Sequence, residues 1–213
     1  MSNSDIKLIC FDLNKTLINE NTWVDLNLAM GMTKEEDDIL FNLYEEGIIS
    51  YMRWQKIIEK IYLNRGKSKK KIIENVIYKY TYKKGAKQIV KYLIKKCYKV
   101  ALISSSIDLL VKRGAGELNI ELYNAGNKLI FDNKDNLIKL KCLGEEKSVK
   151  LKQLKEFCKR LKIKITECAC VGDGDNDRKL FEVTGKGITF KGSKIEKAAW
   201  KVIDDLSQIK DVL

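Results

Sequence analysis

The chain alternates short apolar runs with longer stretches in which apolar side chains recur at helical spacing. The short runs, each typical of a buried strand, are residues 6–11, 100–103, 168–171 and 187–190. The longer stretches, each typical of an amphipathic helix, are residues 86–96, 107–118, 147–161, 175–183 and 193–200. Because strands and helices alternate, the pattern predicts an α/β fold with a doubly wound parallel sheet.

A long helical segment follows the first predicted strand. Apolar side chains keep helical spacing from about residue 23 to residue 80, and Gly31 and Gly47 mark breaks between helices. Thr33 followed by Glu36 is typical of a capping box at a helix start. The segment is too long for one crossover connection, so we expect an inserted α-helical cap. The predicted division is a core of residues 1–18 and 81–213 and a cap of residues 19–80.

A polar turn signal interrupts the pattern in the middle of the chain. Residues 133–136 are Asn-Lys-Asp-Asn, and the apolar runs 129–131 and 137–140 flank them, which predicts a β-hairpin. Residues 121–125 favour a separate strand before that hairpin.

Composition narrows the chemistry that the chain can perform. Hydrophobic residues make up 45% of the 213, as in folded globular proteins, and no apolar run is long enough to cross a bilayer. The chain contains no histidine, which excludes Ser–His and Cys–His catalysis and zinc–histidine sites. Catalysis must therefore come from carboxylates, hydroxyls, lysine, thiols or a hard metal ion.

Charge and cysteine usage bear on partners and compartment. The net charge of +12 would suit a stripe that binds nucleic acid or an acidic membrane, and residues 67–71 are the densest basic cluster. The lysines are nevertheless spread along most of the chain, so we expect a lysine-rich surface without such a stripe. The cysteines lack C-x-x-C spacing and the N-terminal sequence lacks a secretory signal, so we expect reduced thiols in the cytoplasm. Nothing in the sequence indicates an oligomeric state.

Polar residues follow three of the predicted strands. Asp12 follows the first strand, Ser104 follows the second, and the sequence Gly-Asp-Gly-Asp-Asn-Asp begins at Gly172 after the run 168–171. In such a sheet, functional groups collect at the carboxyl ends of the strands. The acids of this last segment repel one another, and a cation among them relieves that repulsion. Because only oxygen ligands are offered, Mg²⁺ is the expected ion.

These segments resemble motifs of the haloacid dehalogenase superfamily phosphatases. Residues 11–17, Phe-Asp-Leu-Asn-Lys-Thr-Leu, are similar to the first motif, Asp-x-Asp-x-Thr, and residues 172–177 are similar to the fourth. Ser104 matches the second motif, and the helical insert lies as in the phosphoserine phosphatase-like branch. The resemblance extends over essentially the whole chain. It implies a Rossmann-like core and a Mg²⁺-dependent phosphatase that acts on a small phosphorylated metabolite.

The resemblance also implies a role for each motif residue. Asp12 would attack phosphorus and form an aspartyl-phosphate. The implied metal ligands are Asp12, Asp173, the backbone carbonyl of Asn14, and Asp177 in the metal shell. The residues implied to bind substrate are Ser104, Ser105, Thr16, Asn176 and Glu20. The third motif is a lysine that counters phosphoryl charge, and Lys147 and Lys150 are both candidates. Lys150 fits the family spacing to Asp173 better.

Two departures from the family pattern bear on activity. Asn14 stands where the family has the aspartate that protonates the leaving group and then activates water. An amide does neither, and loss of general acid–base catalysis lowers a rate by about 10²–10⁴-fold. Asn21 stands at the position of the cap glutamate of phosphoserine-specific enzymes, with Glu20 beside it. Their substrate-binding arginine has no clear counterpart, since Arg53 is equally compatible with a surface position. The sequence therefore does not favour phosphoserine as substrate.

Two alternatives to a working phosphatase remain. Asn14 is compatible with a catalytically silenced phosphoryl-binding or regulatory protein of the same fold. A basic nucleic-acid-binding protein is the other alternative, and the dispersed lysines and the lack of a recognised motif do not favour it.

Overall fold

The computed structural model describes residues 6–66 and 69–213, without the side chain of residue 147. The lysine cluster at residues 67–71 lies partly outside this range. The expectation that the N-terminus carries no secretory signal falls on residues 1–5, which lie outside it. Within the described residues, no helix combines the length and the apolar character that a membrane span requires.

A seven-stranded sheet forms the centre of the described structure, in the order β4-β3-β2-β1-β5-β6-β7. The strands are β1 Leu8–Phe11, β2 Lys99–Ile107, β3 Leu122–Phe131, β4 Leu137–Cys142, β5 Cys168–Val171, β6 Gly187–Phe190 and β7 Lys201–Ile203. Neighbouring strands are parallel except β3 and β4, which form the expected antiparallel hairpin. Because β1 lies between β2 and β5, the sheet order reverses there, which is where such sheets bind ligands.

Helices cover both faces of the sheet, which confirms the predicted doubly wound α/β fold. The helices outside the inserted segment are α5 Ala86–Lys95, α6 Asp108–Glu117, α7 Glu146–Leu161, α8 Arg178–Thr184 and α9 Ile209–Val212. Ile9 and Phe11 of β1 pack in the core that includes residues of α5 and α6. Leu8 and Cys10 point the opposite way, into the core that includes residues of α7 and α8.

In the described part of the segment for which an inserted cap is expected, the chain forms four helices. They are α1 Thr22–Ala29, α2 Lys34–Glu45, α3 Tyr51–Arg65 and α4 Lys70–Ile77. The capping box of Thr33 and Glu36 is present at the start of α2. The chain enters and leaves this segment at adjacent positions, because Ile18 and Tyr82 form an antiparallel bridge. The division into core and cap domains stays a prediction.

Three predicted elements differ in the structure. The predicted strands at 121–125 and 129–131 form one continuous strand, β3, at Leu122–Phe131. Buried Asn127 donates to the Ser105 carbonyl at 2.6 Å, which holds the middle of β3 against β2. Strand β2 continues through its serines to Ile107. The predicted helix at 193–200 is only the 3-10 turn Glu196–Ala198.

The segment after β6 is held by tertiary hydrogen bonds that replace the predicted helix. Ser193 Oγ donates to the Asp173 carbonyl at 2.9 Å, which ties this segment to the loop after β5. Trp200 N donates to the Gly187 carbonyl at 2.8 Å, which leads the chain into β7. Strand β7 and helix α9 have no counterpart among the sequence-based predictions, because both are too short to give a periodic signal.

Candidate active site

The structure brings the acids of the first and fourth motifs together at the carboxyl ends of β1 and β5. Asp12 N donates to the Val171 carbonyl at 2.9 Å, so the sheet hydrogen bonding continues to the first residue of the site. Carboxylate oxygens of Asp12, Asp173 and Asp177 lie within 4.8 Å of one another. A cluster of oxygen ligands with this spacing could hold a hard divalent ion.

The Asp177 side chain packs against Gly172 within this cluster. A Cβ atom at residue 172 would lie 2.3 Å from Asp177 Cγ, so a side chain other than hydrogen at Gly172 would displace the carboxylate. Glycine at position 172, directly after β5, is therefore required on steric grounds, which the sequence pattern alone does not show.

Lys150 of α7 places a buried cation among these carboxylates. Its side chain is fully buried, and Nζ lies 2.7 Å from Asp177 Oδ1, 3.1 Å from Asp12 Oδ1 and 3.0 Å from Asn176 Oδ1. Burial alone would lower the pKa of Lys150, but the charges of Asp12 and Asp177 outweigh burial and raise it, so the side chain stays protonated. The structure thus places Lys150 where the third-motif lysine is expected. The side chain of Lys147 lies outside the described part of the chain.

The carboxylates carry more charge than this lysine balances. Burial, with the charge of Asp12 as a further cause, raises the pKa of Asp177 to about 7 even though Lys150 opposes the shift. Burial and Asp12 raise the pKa of Asp173 as well. A divalent cation would neutralise this excess negative charge, so the residues present fit a metal such as Mg²⁺.

Asn14 lines the cavity beside this cluster, with its side chain held by α1. Its Oδ1 accepts from Thr22 Oγ1 at 3.0 Å, at the first residue of that helix. The amide oxygen therefore points toward the inserted segment. The sequence-based assignment of its backbone carbonyl to the metal stays a prediction.

Two residues expected to bind substrate do not line the cavity. Thr16 is fully buried and Oγ1 donates to Asp173 Oδ1 at 2.9 Å, so it positions that carboxylate. The preceding Lys15 has φ +58°, and this left-handed turn leaves Lys15 at the cavity and Thr16 behind it. Glu20 accepts from Thr81 N at 2.9 Å and Thr81 Oγ1 at 2.8 Å, so it connects the two ends of the inserted segment and does not line the cavity.

The serines of β2 line the cavity opposite the carboxylates. Ser104 Oγ accepts from Ser106 N at 3.2 Å, whereas the buried hydroxyl oxygens of Ser105 and Ser106 have no hydrogen-bond partner. A buried hydroxyl without a partner costs about 1–3 kcal/mol, which bound phosphoryl oxygens would offset. Ser106 was not among the sequence-predicted site residues, although its position in the same polar run was the available signal.

Asn176 connects the site to α7. It accepts from Lys150, and Nδ2 donates to Glu146 Oε1 at 2.6 Å. Glu146 also accepts from Tyr44 OH at 3.3 Å, so it joins α2 to this network. Sequence reasoning missed Glu146, because an acid in the first turn of a helix is usually explained by the helix dipole.

A cavity of about 1060 Å³ opens between the sheet edge and the inserted helices. Cavity-lining lysines that the sequence did not single out are Lys15, Lys34, Lys83, Lys191 and Lys194. Burial lowers the pKa of Lys83, whose Nζ lies 4.1 Å from the centroid of the Phe190 ring. Trp23 and Trp54 also line this cavity. Their place could not be predicted, because a tryptophan at helical spacing is more often part of a core.

Known proteins with related sequences and structures extend over almost the whole chain. The phosphoserine phosphatase of Methanocaldococcus jannaschii is 27% identical over 209 residues, covering 97% of this chain and 96% of that protein. That of Archaeoglobus fulgidus is 26% identical over 196 residues, and this chain spans only 55% of its length. A solved structure described as a phospho-aspartyl intermediate analogue of phosphoserine phosphatase has a TM-score of 0.80 at 25% identity, covering 98% of this chain and 99% of that one.

The family itself is established by a family model. The model describes a haloacid dehalogenase-like hydrolase and matches residues 6–182, which include all the carboxylates of the cluster, the serines of β2 and Lys150. The match confirms the resemblance inferred from the motifs and the expectation of a hydrolase. With more than half of its length matched, the chain belongs to the haloacid dehalogenase-like hydrolase family.

Proposed function

We propose that this chain is a Mg²⁺-dependent phosphatase of a small phosphorylated metabolite and that Asp12 is its nucleophile. The observation that carries the proposal is the setting of Asp12. Its carboxylate lies beside the buried cation of Lys150 and within 4.8 Å of two further carboxylates, at the edge of a cavity that also holds unpartnered serine hydroxyls. The proposed nucleophile, Asp173 of the carboxylate cluster and the three serines of β2 therefore line one cavity.

The proposed reaction has two displacements. In the first, an oxygen of Asp12 attacks phosphorus, the ester P–O bond breaks, and the alcohol oxygen leaves with the bonding electron pair. In the second, water attacks the aspartyl-phosphate, which releases inorganic phosphate and restores the Asp12 carboxylate. Lys150 balances negative charge, and the serine hydroxyls donate to phosphoryl oxygens. When held by Asp12, Asp173 and the Asn14 carbonyl, with Asp177 behind them, Mg²⁺ would supply further charge neutralisation.

A screen of phosphorylated metabolites with and without Mg²⁺ tests this function. We expect Mg²⁺-dependent release of inorganic phosphate that disappears in Asp12→Asn. Asp25→Asn, an exposed change on α1 outside the cavity, is the matched control and should keep the full rate. Release that survives in Asp12→Asn would assign the reaction to another nucleophile and contradict the proposal.

A second candidate is a phosphoryl-binding protein without turnover. Asn14 favours it, because the anchored amide offers no proton to a leaving group and no base to water. Such a protein would bind inorganic phosphate in the presence of Mg²⁺ and release none from any ester, including activated ones. Slow turnover of activated esters by the native chain would instead support the weakened phosphatase.

A further inference from the structure

The cavity extends well beyond the groups that would hold a phosphate. Asp12 and the serines of β2 line one part of it, and residues of α2 and α3 line another. Its volume of about 1060 Å³ lies at the upper end of the roughly 300–1000 Å³ that small-molecule sites occupy. A phosphate on a short aliphatic chain would leave much of this space empty.

We propose that the part of the cavity formed by α2 and α3 binds the leaving group of the substrate. This leaving group is a heteroaromatic ring, and the phosphate is carried by an oxygen attached to a ring carbon. The inference rests on the proposed function and adds the substrate class to it.

Four aromatic side chains form the leaving-group end of the cavity. This aromatic cluster consists of Phe41 and Tyr44 on α2 and Tyr51 and Trp54 on α3, and all four line the cavity. The Trp54 ring is central, because its centroid lies 5.1 Å from that of Tyr44 and 6.1 Å from those of Phe41 and Tyr51. Aromatic faces attract a further flat ring by offset or edge-to-face packing.

The aromatic cluster adjoins the phosphoryl end of the cavity. Buried Asn127 donates from Nδ2 both to Tyr51 OH at 2.8 Å and to the Ser105 carbonyl at 2.6 Å. Tyr44 OH donates to Glu146, which also holds Asn176 of the catalytic cluster. One molecule can therefore place its phosphate at Asp12 and its ring against the aromatic cluster.

Unpartnered polar atoms beside the rings specify a heteroaromatic ligand. Gln55 is 3% exposed and lines the cavity, and its acceptor Oε1 has no hydrogen-bond partner. The adjacent donor Trp54 Nε1 is also buried without a partner. The last torsion of a glutamine side chain has broad freedom, so rotation about it can turn Oε1 toward a ligand N–H. A ring that carries an N–H group would satisfy this acceptor, whereas a plain hydrocarbon ring would not.

The chemistry of Asn14 agrees with this class of substrate. Attack by an Asp12 oxygen on phosphorus forms the aspartyl-phosphate bond and breaks the ester P–O bond, and the oxygen attached to the ring carbon leaves with the electron pair as an aryl oxide. The ring delocalises that negative charge, so departure needs no proton from the enzyme, and the aryl oxide takes its proton from water afterwards. An alkyl oxide lacks this stabilisation, and Asn14 cannot compensate.

Binding to Asp12→Asn measures ring recognition apart from turnover. Calorimetric titration of this variant uses 3-indolyl phosphate, which has a ring N–H, 1-naphthyl phosphate, which has two rings and no N–H, and inorganic phosphate, each with Mg²⁺. Adding Trp54→Leu should raise Kd about tenfold for both ring phosphates and leave Kd for inorganic phosphate within about twofold. Adding Trp54→Phe should restore ring binding, which would separate lost ring packing from misfolding. Adding Gln55→Leu should weaken 3-indolyl phosphate about tenfold and 1-naphthyl phosphate less than about threefold.

Two results would overturn the inference. One is equal Kd values for ring phosphates and inorganic phosphate before Trp54 is changed, and the other is ring binding unaffected by Trp54→Leu. Met52→Leu on the exposed side of α3 is the matched control and should change nothing. Turnover by the native chain is measured separately, with acetyl phosphate as a small activated acyl phosphate. Ring binding without any turnover would contradict the proposed function alone, whereas turnover of acetyl phosphate without ring preference would contradict this inference alone.

Discussion

Asn14 lies beside Asp12, the proposed nucleophile, with an amide in place of a group that transfers protons. Replacing Asn14 by aspartate should raise the rate on alkyl phosphates by at least about tenfold, because a carboxyl group can protonate the leaving alcohol and activate water. The rate on activated aryl phosphates should change less. Steady-state kcat for both ester classes measures the difference, and Asn42→Asp, an exposed change on α2 outside the cavity, is the control that should leave both rates unchanged. If the native chain already hydrolyses alkyl phosphates fast and the substitution does not raise that rate, another group transfers the proton.

Lys150 is a fully buried cation between two carboxylates. Lys150→Met should destabilise the protein by about 3–5 kcal/mol, because removing one partner leaves buried negative charges unpaired. Urea unfolding in metal-free buffer measures this, with exposed Lys152→Met of the same helix as control. A loss below about 1 kcal/mol would show that Asp12 and Asp177 do not depend on this lysine for charge balance. The sequence indicated Lys150 only through a family spacing, since a lysine on an amphipathic helix is ordinarily exposed.

Gly126 of β3 packs directly against the backbone of Ser105 in β2. A Cβ atom there would lie 2.8 Å from Ser105 Cα, a backbone atom that cannot move aside alone. Gly126→Ala should therefore lower the free energy of unfolding by about 1–3 kcal/mol, as overpacking does, and should also lower phosphatase activity because Ser105 shifts. Gly116→Ala in α6 is the matched control, since no atom lies within 4 Å of its Cβ position. Equal melting temperatures for the two variants would contradict this account.

The single strand β3 illustrates which elements the sequence could predict. The run at Cys168–Val171 and the capping box of Thr33 were predicted correctly, because their signals are local. The residues around Gly126 and Asn127 look like a loop, and only hydrogen bonds and close packing with β2 make them a strand. The same holds for residues 193–200, where a hydrogen bond from Ser193 to the Asp173 carbonyl overrides helical spacing.

Glu117 joins α6 to the chain that follows the inserted helices. Burial raises its pKa, but hydrogen bonds from Tyr80 and Tyr82 and the ion pair with Arg113 outweigh burial, so the pKa is lowered. A carboxyl group with a lowered pKa stabilises the fold above its unfolded pKa of about 4.3, and this contribution is lost as pH falls through the folded pKa. Glu117→Gln should thus be less stable than the native chain at pH 7, and the difference should shrink below about pH 4.

Urea unfolding at several pH values measures the contribution of Glu117. Glu121→Gln, an exposed change nearby, is the control and should give no pH-dependent difference from the native chain. A deficit for Glu117→Gln that stays constant from pH 7 to pH 3 would mean that its charge is not what stabilises the fold.

The proposed metal site couples ion binding to the whole fold, because the carboxylate cluster exists only when β1 and β5 are paired. Mg²⁺ should therefore raise the melting temperature of the native chain. Asp173→Ala should abolish that rise, while Asp25→Ala should preserve it, since Asp25 is exposed outside the cluster. Thermal scans with and without Mg²⁺ measure the shift. A rise that persists in Asp173→Ala would place the ion elsewhere.

The bridge between Ile18 and Tyr82 means that the chain leaves the sheet and returns to it at one place. Hydrogen bonds from Asn19 N to the Thr81 carbonyl and from Lys83 N to the Leu17 carbonyl extend this junction. Everything between these points can be lengthened, shortened or exchanged without moving the strands that carry Asp12 and Asp173. Over evolutionary time such a connection lets a lineage acquire new substrates through its insertion while it inherits the reaction unchanged.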